Sequence, residues 1–421
     1  MVAYKTNGKR RNRQLRAAPL WPPIRCARVG WHPDSSRVVT PLERASTGLR
    51  RSVPPVVAFL AASLALWIAA LASDQPFLHG ASWRHFDSLR YLSIAQHGYE
   101  IHSCGPHDGL PPSESCGNAG WFGGYSLVVR AVDELGVPLS GGAVLVSAAF
   151  SLATLMLLWH GFMGAQPTPR NLIALAIAAF IPGLVYTRAV FPFGMSQFLV
   201  LGSIYLAGRR HWLSAGAVGL AAATTHPVVV LLAPALALWA TLADRQAAWH
   251  DRLRRAALTA GPTLAGFALV LAVQGAQTGV WGAFLQVQQG LGPRSSDPLS
   301  SLIESVRALV NGDSGLAAVP HLQSLAVAVA MIALVFYASR HRPQIEQVEW
   351  LALTFAALVW LVPMFAEQTA VPLARFRYDT LLVPAVLLSR RTPIGCQVAV
   401  LAIVAALSVP LAMGFFEGVL I

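Results

Sequence analysis

The chain has 421 residues, of which 55% are hydrophobic and only 12% are charged. Soluble domains carry roughly 25% charged residues, so this composition excludes one large soluble globule. The net charge of +12 is concentrated in residues 1–51, where twelve Lys and Arg face two acids. This segment has no hydrophobic pattern, which is typical of a disordered cytoplasmic tail beside anionic lipid rather than of a nucleic-acid-binding domain. We divide the chain into a basic tail, residues 1–52, and a membrane domain, residues 53–421.

Long apolar runs follow the tail. Runs of about 18 residues or more can cross a hydrocarbon core of roughly 30 Å as helices. They are continuous rather than alternating, which argues against a β-barrel. The sequence therefore predicts an all-α polytopic membrane protein with about eleven spans, at 54–73, 140–163, 170–187, 190–207, two arms within 213–242, 256–276, 320–339, 349–366, 378–389 and 393–416.

The distribution of charge predicts an orientation. Basic clusters in the tail and between later spans favour a cytoplasmic N-terminus. The loop 74–139 holds seven acids against three Arg, so we place it outside, together with the loop 277–319. Two basic segments flank residues 213–242, which must then be a hairpin with its apex near 224–227. We expect a multi-pass protein of a bacterial plasma membrane.

Two of the four cysteines, Cys104 and Cys116, share the first outer loop. Because thiols outside the cytoplasm can be oxidised, we predict a disulfide between them. A metal site with the nearby His102 and His107 is the alternative, although the spacing matches no usual zinc pattern. Outside this loop, the chain's remaining cysteines are most simply free thiols.

The stretch "WRHFDSLRYLSIAQHGYE" at 83–100 follows the first apolar run. Its spacing predicts an amphipathic helix over 83–97 that lies in the membrane interface, with apolar residues toward the bilayer and Asp87 on the polar side. In the simplest interpretation the helix is an anchor in which Asp87 pairs with Arg84 or Arg90.

The stretch at 85–100 also resembles the first outer loop of the PIG-V mannosyltransferases. Later segments are similar to that family's motifs in family order: "WFGGYSLVVRAV" at 121–132, "RRHWLSAGAVGLAAATTHPVVVLL" at 209–232, "WGAFLQVQQGLG" at 281–292 and "RFRYDTLLVPAVLL" at 375–388. The chain also departs from the family: Gly124 and Ser126 replace prolines, His226 replaces an arginine, and the segment 186–196 lacks the usual acid.

The resemblance implies a GT-C glycosyltransferase that moves a sugar, most simply mannose, from a polyprenyl-phosphate donor to a glycolipid, glycan or protein at the outer membrane face. Asp87 would be the general base, since a carboxylate can deprotonate an acceptor hydroxyl. Cationic side chains would hold the leaving phosphate, and amides would bind sugar hydroxyls. The predicted substrate-binding residues are Arg90, Tyr91, His226, Gln288, Arg375 and Arg377, with Arg188 as a further phosphate candidate near the outer face.

Other points stay open at this stage. The sequence identifies no cofactor, a divalent cation is an option, and the polyprenyl-phosphate sugar is the expected donor substrate. A transporter or flippase of lipid-linked sugars is one alternative function, although transporters tend to keep ionisable groups near the bilayer midplane. A catalytically silent GT-C homologue that acts as an assembly partner is the other, because several family residues are replaced.

Overall fold

The computed structural model describes residues 51–105, 113–290, 293–295, 298–312, 314–368 and 375–420. Side chains at 293–295, 298, 366–368 and 375 lie outside this description. Helix dominates. The α-helices are α1 Val53–Ala72, α2 Ser88–His97, α3 Gly124–Glu134, α4 Leu139–Leu157, α5 Pro169–Ala179, α6 Phe193–Gly208, α7 Trp212–Ala223, α8 Leu232–Leu242, α9 Trp249–Thr278, α10 Ala283–Gly290, α11 Pro298–Val310, α12 Ala318–Arg340, α13 Gln347–Leu361, α14 Arg375–Tyr378, α15 Val386–Ser389 and α16 Ile394–Phe416.

Short strands and tight helical turns connect these helices. The described part of the chain contains two antiparallel strand pairs, β1 Ile101–Ser103 with β2 Ser115–Gly117, and β3 Pro293–Ser295 with β4 Ala366–Gln368. The 3-10 turns that matter for the site are Gly80–Trp83, Leu184–Thr187, Pro227–Leu231 and Asp379–Ala385.

Six helices among the described residues are long and apolar enough to cross a membrane: Val53–Ala72, Leu139–Phe162, Trp249–Thr278, Gly315–Arg340, Gln347–Phe365 and Ile394–Phe416. They support an all-α, multi-pass membrane protein. Four of the other five expected spans correspond to shorter apolar helices, which are Pro169–Ala179, Phe193–Gly208, Trp212–Ala223 and Pro227–Leu242. The fifth, expected at 378–389, is the 3-10 turn Asp379–Ala385 followed by the short helix α15. The total of about eleven spans therefore stays a prediction.

The basic segments meet at one end of the helix bundle. The indole of Trp159 donates to the carbonyl of Arg51 at 2.6 Å, and Arg390 donates to the carbonyl of Phe162 at 2.9 Å. The chain segments that precede α1, follow α4 and precede α16 are thus adjacent. We call this the basic end.

The segment 212–242 is a hairpin, as its flanking charges predict. Its first arm is α7, and its second runs from Pro227 through α8. The start of α7 and the end of α8 lie together at the basic end, where the rings of Trp212 and Trp239 are 5.3 Å apart and Gln347 of α13 donates to the carbonyl of Ala243 at 3.2 Å. There Arg255 of α9 lies over the ring of Trp212 at 5.6 Å and pairs with Asp244 at 3.4 Å. The turn between the arms contains His226, which precedes the proline that begins the second arm.

A buried carboxylate links two helices at the basic end. Glu349, near the start of α13, is fully buried and accepts from Arg390 Nη2 at 2.9 Å and from Arg391 Nε at 3.0 Å. Arg391 also pairs with the exposed Glu346. Two cations thus join α13 to the start of α16 around one carboxylate.

The turn between α5 and α6 lies midway along α4. Ser151 donates to the carbonyl of Thr187 at 2.7 Å, and Ser147 donates to the carbonyl of Phe191 at 3.2 Å. Ser151 is twelve residues into α4, about 18 Å from its start. The expectation that Arg188 lies near the outer face is therefore wrong, because the chain reverses inside the bundle.

The first loop folds onto the bundle. The amphipathic helix begins at Ser88 rather than at Trp83, which instead ends a 3-10 turn. Leu89 is 60% exposed, as expected for a residue that contacts the bilayer, whereas Leu92 is buried against protein. Further along the loop, the predicted Cys104–Cys116 disulfide is present and joins the residue that follows β1 to the central residue of β2.

Candidate active site

Among the charged residues that the family resemblance singles out, Asp87 and Arg377 contact each other. Arg377 Nη1 donates to Asp87 Oδ2 at 2.7 Å, across 290 residues of sequence. The side chain of Asp87 is 34% exposed and that of Arg377 is 8% exposed. Asp87 was expected to pair with Arg84 or Arg90 if it were a simple anchor. Its partner is instead a buried arginine contributed by a late segment of the chain.

Local backbone geometry directs the carboxylate. Phe86 has a φ of 54°, in the left-handed region that bulky residues rarely adopt. This turn places Asp87 immediately before α2, where its carbonyl accepts from the amide of Arg90 at 2.9 Å. The carboxylate makes no bond to the amides of its own helix and is directed toward Arg377.

Aromatic rings surround the guanidinium of Arg377. Its central carbon lies 5.0 Å from the ring centre of Phe86, 5.5 Å from Tyr186 and 6.0 Å from both Phe191 and Phe376. Rings of this kind attract cations through their faces. Burial would lower the pKa of Arg377, but the carboxylate of Asp87 opposes it and the net direction is upward. The arginine is thus held as a cation in an apolar setting.

Two further predicted residues border this cluster. Tyr91 is buried, and its ring lies 6.0 Å from that of Phe191. His226 is buried too, and its ring lies 5.2 Å from that of Tyr378, the neighbour of Arg377 in sequence. Its Nδ1 accepts from the amide of Val228, so it has a structural role at the start of the second hairpin arm.

The remaining predicted residues lie apart from the ion pair. Arg90 is turned away from Asp87, and its guanidinium lies 5.5 Å over the ring of Trp121. Gln288 of α10 donates to the carbonyl of Gly120 at 2.8 Å, and so joins α10 to the loop that contains Trp121. For Arg375 the structure describes the backbone, at the start of α14, and the prediction for its side chain lies outside the described residues.

Sequence reasoning missed a network that holds the Arg377 segment. Gln323 of α12 donates to the carbonyl of Phe376 at 2.9 Å and to Asp379 Oδ2 at 2.8 Å. Gln197 of α6 donates to the carbonyl of Thr380 at 2.7 Å. Both glutamines are buried in apolar helices. Amides in such runs are a usable signal, since buried polar groups need hydrogen-bond partners.

The described residues contain no group of three or more His, Cys, Asp and Glu side chains that could hold a metal ion. Comparison with protein-family models finds no match to this chain. Comparison with curated proteins also finds no match.

Proposed function

We propose that the protein is a membrane glycosyltransferase that moves a sugar, most simply mannose, from a polyprenyl-phosphate donor to a cell-envelope lipid, glycan or protein. The observation that carries this proposal is the pairing of a partly exposed Asp87 with a deeply buried Arg377. A base and a cation for an anionic leaving group are the two functions that transfer from a lipid phosphate requires.

The geometry is compatible with both roles. Arg377 donates to Oδ2 of Asp87. None of the described residues donates to Oδ1, so this oxygen can accept the proton of an acceptor hydroxyl. In the reaction, the acceptor hydroxyl gives its proton to Asp87 and its oxygen bonds to the anomeric carbon. The bond from that carbon to the phosphate oxygen breaks, and the lipid phosphate leaves as an anion. Arg377 is the nearest described cation to Asp87 and would stabilise that charge.

The test uses membranes that contain the protein, radiolabelled polyprenyl-phosphate-mannose and total lipid. Asp87→Asn keeps size and polarity but removes the basic carboxylate. Transfer should fall by about 10²–10⁴-fold, the usual contribution of a positioned acid–base group. Asp87→Glu should recover little, because a carboxylate displaced by roughly 1 Å can itself lose about 10²-fold.

Asp133→Asn is the matched control, since Asp133 is an exposed acid of the same loop, on α3. It should transfer as the wild type does. All rates are expressed per amount of folded protein, because Asp87 also stabilises Arg377. Near-normal transfer by Asp87→Asn would exclude Asp87 as the base. If the wild type transfers no label to any acceptor, the catalytically silent homologue is favoured.

Transport or flipping of lipid-linked sugars is a second candidate that one observation favours. Helix α5 ends and α6 begins beside the middle of α4, so neither helix crosses the bundle. Transporters use such discontinuous helices at their binding sites. The same membranes discriminate between the two functions. A transferase forms a new glycosidic bond to an acceptor, whereas a transporter leaves the labelled donor chemically unchanged.

A further inference from the structure

Arg188 is a buried arginine that the proposed active site does not use. It lies in the turn between α5 and α6, directly after the 3-10 turn Leu184–Thr187, and is 4% exposed. Its guanidinium forms no hydrogen bond or ion pair with the described residues, and its Nε and Nη1 are buried without partners. The guanidinium carbon lies 3.6 Å from the ring centre of Phe59, a cation–π contact.

The position of Arg188 makes this unusual. Phe59 lies six residues after the first residue of α1, about 9 Å along a helix of roughly 30 Å. Arg188 therefore lies at a depth where α1 carries no charged residue. Ionisable side chains at such depths are rare, and they commonly mark a site with a partner of opposite charge.

A cavity adjoins Arg188. It has a volume of about 270 Å³ and is lined by Arg188, by Phe59 and Leu66 of α1, and by Val144 and Ala148 of α4. For comparison, an apolar cavity of roughly 150 Å³ accommodates benzene. The walls are mainly apolar, so the space suits a hydrocarbon with one charged group rather than a hydrated ion alone.

Few polar groups accompany the cation. Among the described residues that line the cavity, Ser63 and Trp83 carry the other polar side-chain groups. The hydroxyl of Ser63 donates to the carbonyl of Phe59, and the indole of Trp83 donates to the carbonyl of Phe77, both at 2.8 Å. A sugar would find few hydrogen-bond partners here, and leaving its hydroxyl groups unpaired is costly. The lining thus disfavours the sugar part of a glycolipid donor.

Aromatic rings separate this cavity from the Asp87–Arg377 pair. Trp83 lines the cavity, and its ring lies 5.0 Å from that of Phe416. The ring of Phe416 lies 5.6 Å from that of Phe415, which in turn lies 5.9 Å from Phe86 beside the ion pair. Arg188 contacts Phe59 and lines this cavity, whereas Arg377 pairs with Asp87, so the two arginines have different partners.

We propose that the Arg188 cavity binds an anionic amphiphile, with a phosphate or carboxylate group on Arg188 and a single hydrocarbon chain between α1 and α4. A guanidinium is suited to oxyanions because its planar N–H groups match their geometry. The ligand supplies the negative charge that the described residues do not, and its chain fills the apolar part of the cavity. This site does not depend on the proposed transferase activity.

The test measures the thermal unfolding midpoint of the full-length protein in dodecyl maltoside, a neutral detergent. Added dodecyl phosphate should raise the midpoint saturably, because a ligand that binds only the folded state stabilises it. Dodecanoate should also raise the midpoint saturably, with a half-maximal concentration that differs from that of dodecyl phosphate. Inorganic phosphate should have no effect, since it lacks the chain. A shift with inorganic phosphate that depends on Arg188 would overturn the amphiphile assignment.

Two variants test the site from opposite walls. Arg188→Met removes the cation; without a probe its midpoint should rise, because an unpaired buried charge is replaced by an apolar chain. Gly141→Leu keeps Arg188 and fills the cavity from α4, where a side chain would meet no atom within 4 Å. In both variants the dodecyl phosphate concentration for half-maximal shift should rise at least tenfold.

Arg130→Gln and Arg377→Gln are the controls. Arg130 is an exposed arginine on α3, and Arg377 is the cation of the other site. Arg130→Gln should respond to dodecyl phosphate as the wild type does, and Arg377→Gln should keep the response that Arg188→Met loses. The proposal is wrong if Gly141→Leu responds normally, if Arg377→Gln alone abolishes the response, or if the wild type shows no shift. A lower midpoint for Arg188→Met without a probe would also contradict it, because Arg188 would then have a partner within the protein.

Discussion

Replacing Asp87 by Asn should destabilise the protein as well as impair the proposed reaction. The substitution leaves the guanidinium of Arg377, whose side chain is only 8% exposed, without a carboxylate. Losing one partner of a fully buried pair costs about 3–5 kcal/mol, whereas an exposed pair contributes about 0–1 kcal/mol. Asp87 is 34% exposed, so its contribution is partly screened by solvent. We expect the free energy of unfolding to fall by about 2 kcal/mol, between these limits.

A double-mutant cycle isolates the pair. Asp87→Asn, Arg377→Met and the double variant are compared by denaturant unfolding in a neutral detergent, with Asp133→Asn as the exposed control. Once Arg377 is replaced by Met, no buried charge remains, so adding Asp87→Asn should then cost little. The coupling energy should be about 1–2 kcal/mol, within the usual range for residues in contact. Additive effects, or wild-type stability of Asp87→Asn, would refute the pairing.

Three further predictions concern other parts of the chain. Replacing Cys104 and Cys116 by Ser should lower stability by about 3 kcal/mol for a loop of this length, and mass spectrometry of non-reduced peptides should detect the bridge. Glu349→Gln should cost about 3–5 kcal/mol, because two arginines lose a buried carboxylate, whereas Glu346→Gln should cost less than about 1 kcal/mol in the same unfolding assay. A reporter fused after Arg255 should score cytoplasmic; an external score would contradict the charge-based orientation.

The sequence indicated parts of the site but not their pairing. Asp87 and Arg377 both fall in segments that resemble one family, and the structure brings them into contact. The contact itself joins residues 290 positions apart, and no local pattern encodes such a pair. Arg90 illustrates the limit: it lies three residues from Asp87, which made it a plausible partner, yet it packs on Trp121.

The depth of Arg188 was mispredicted although a signal was present. The apolar run before it has the length of a complete span, but it contains Pro182 and Gly183, a pair typical of a turn. Gly183 adopts a φ of 78°, and an added Cβ would lie 2.8 Å from Thr380. Length alone predicted a crossing helix, whereas backbone conformation and close packing produced a reversal inside the bundle.

That reversal constrains the order in which the chain can be assembled during synthesis. The carbonyls of Thr187 and Phe191 lie outside regular helix, and within lipid such groups need a partner. Their partners are the hydroxyls of Ser151 and Ser147, which belong to α4. Because the ribosome makes α4 before the turn, these donors are already in the chain when the turn emerges. A rearranged gene that encoded the segment 169–208 ahead of α4 would deliver the turn to the membrane before these hydroxyls exist.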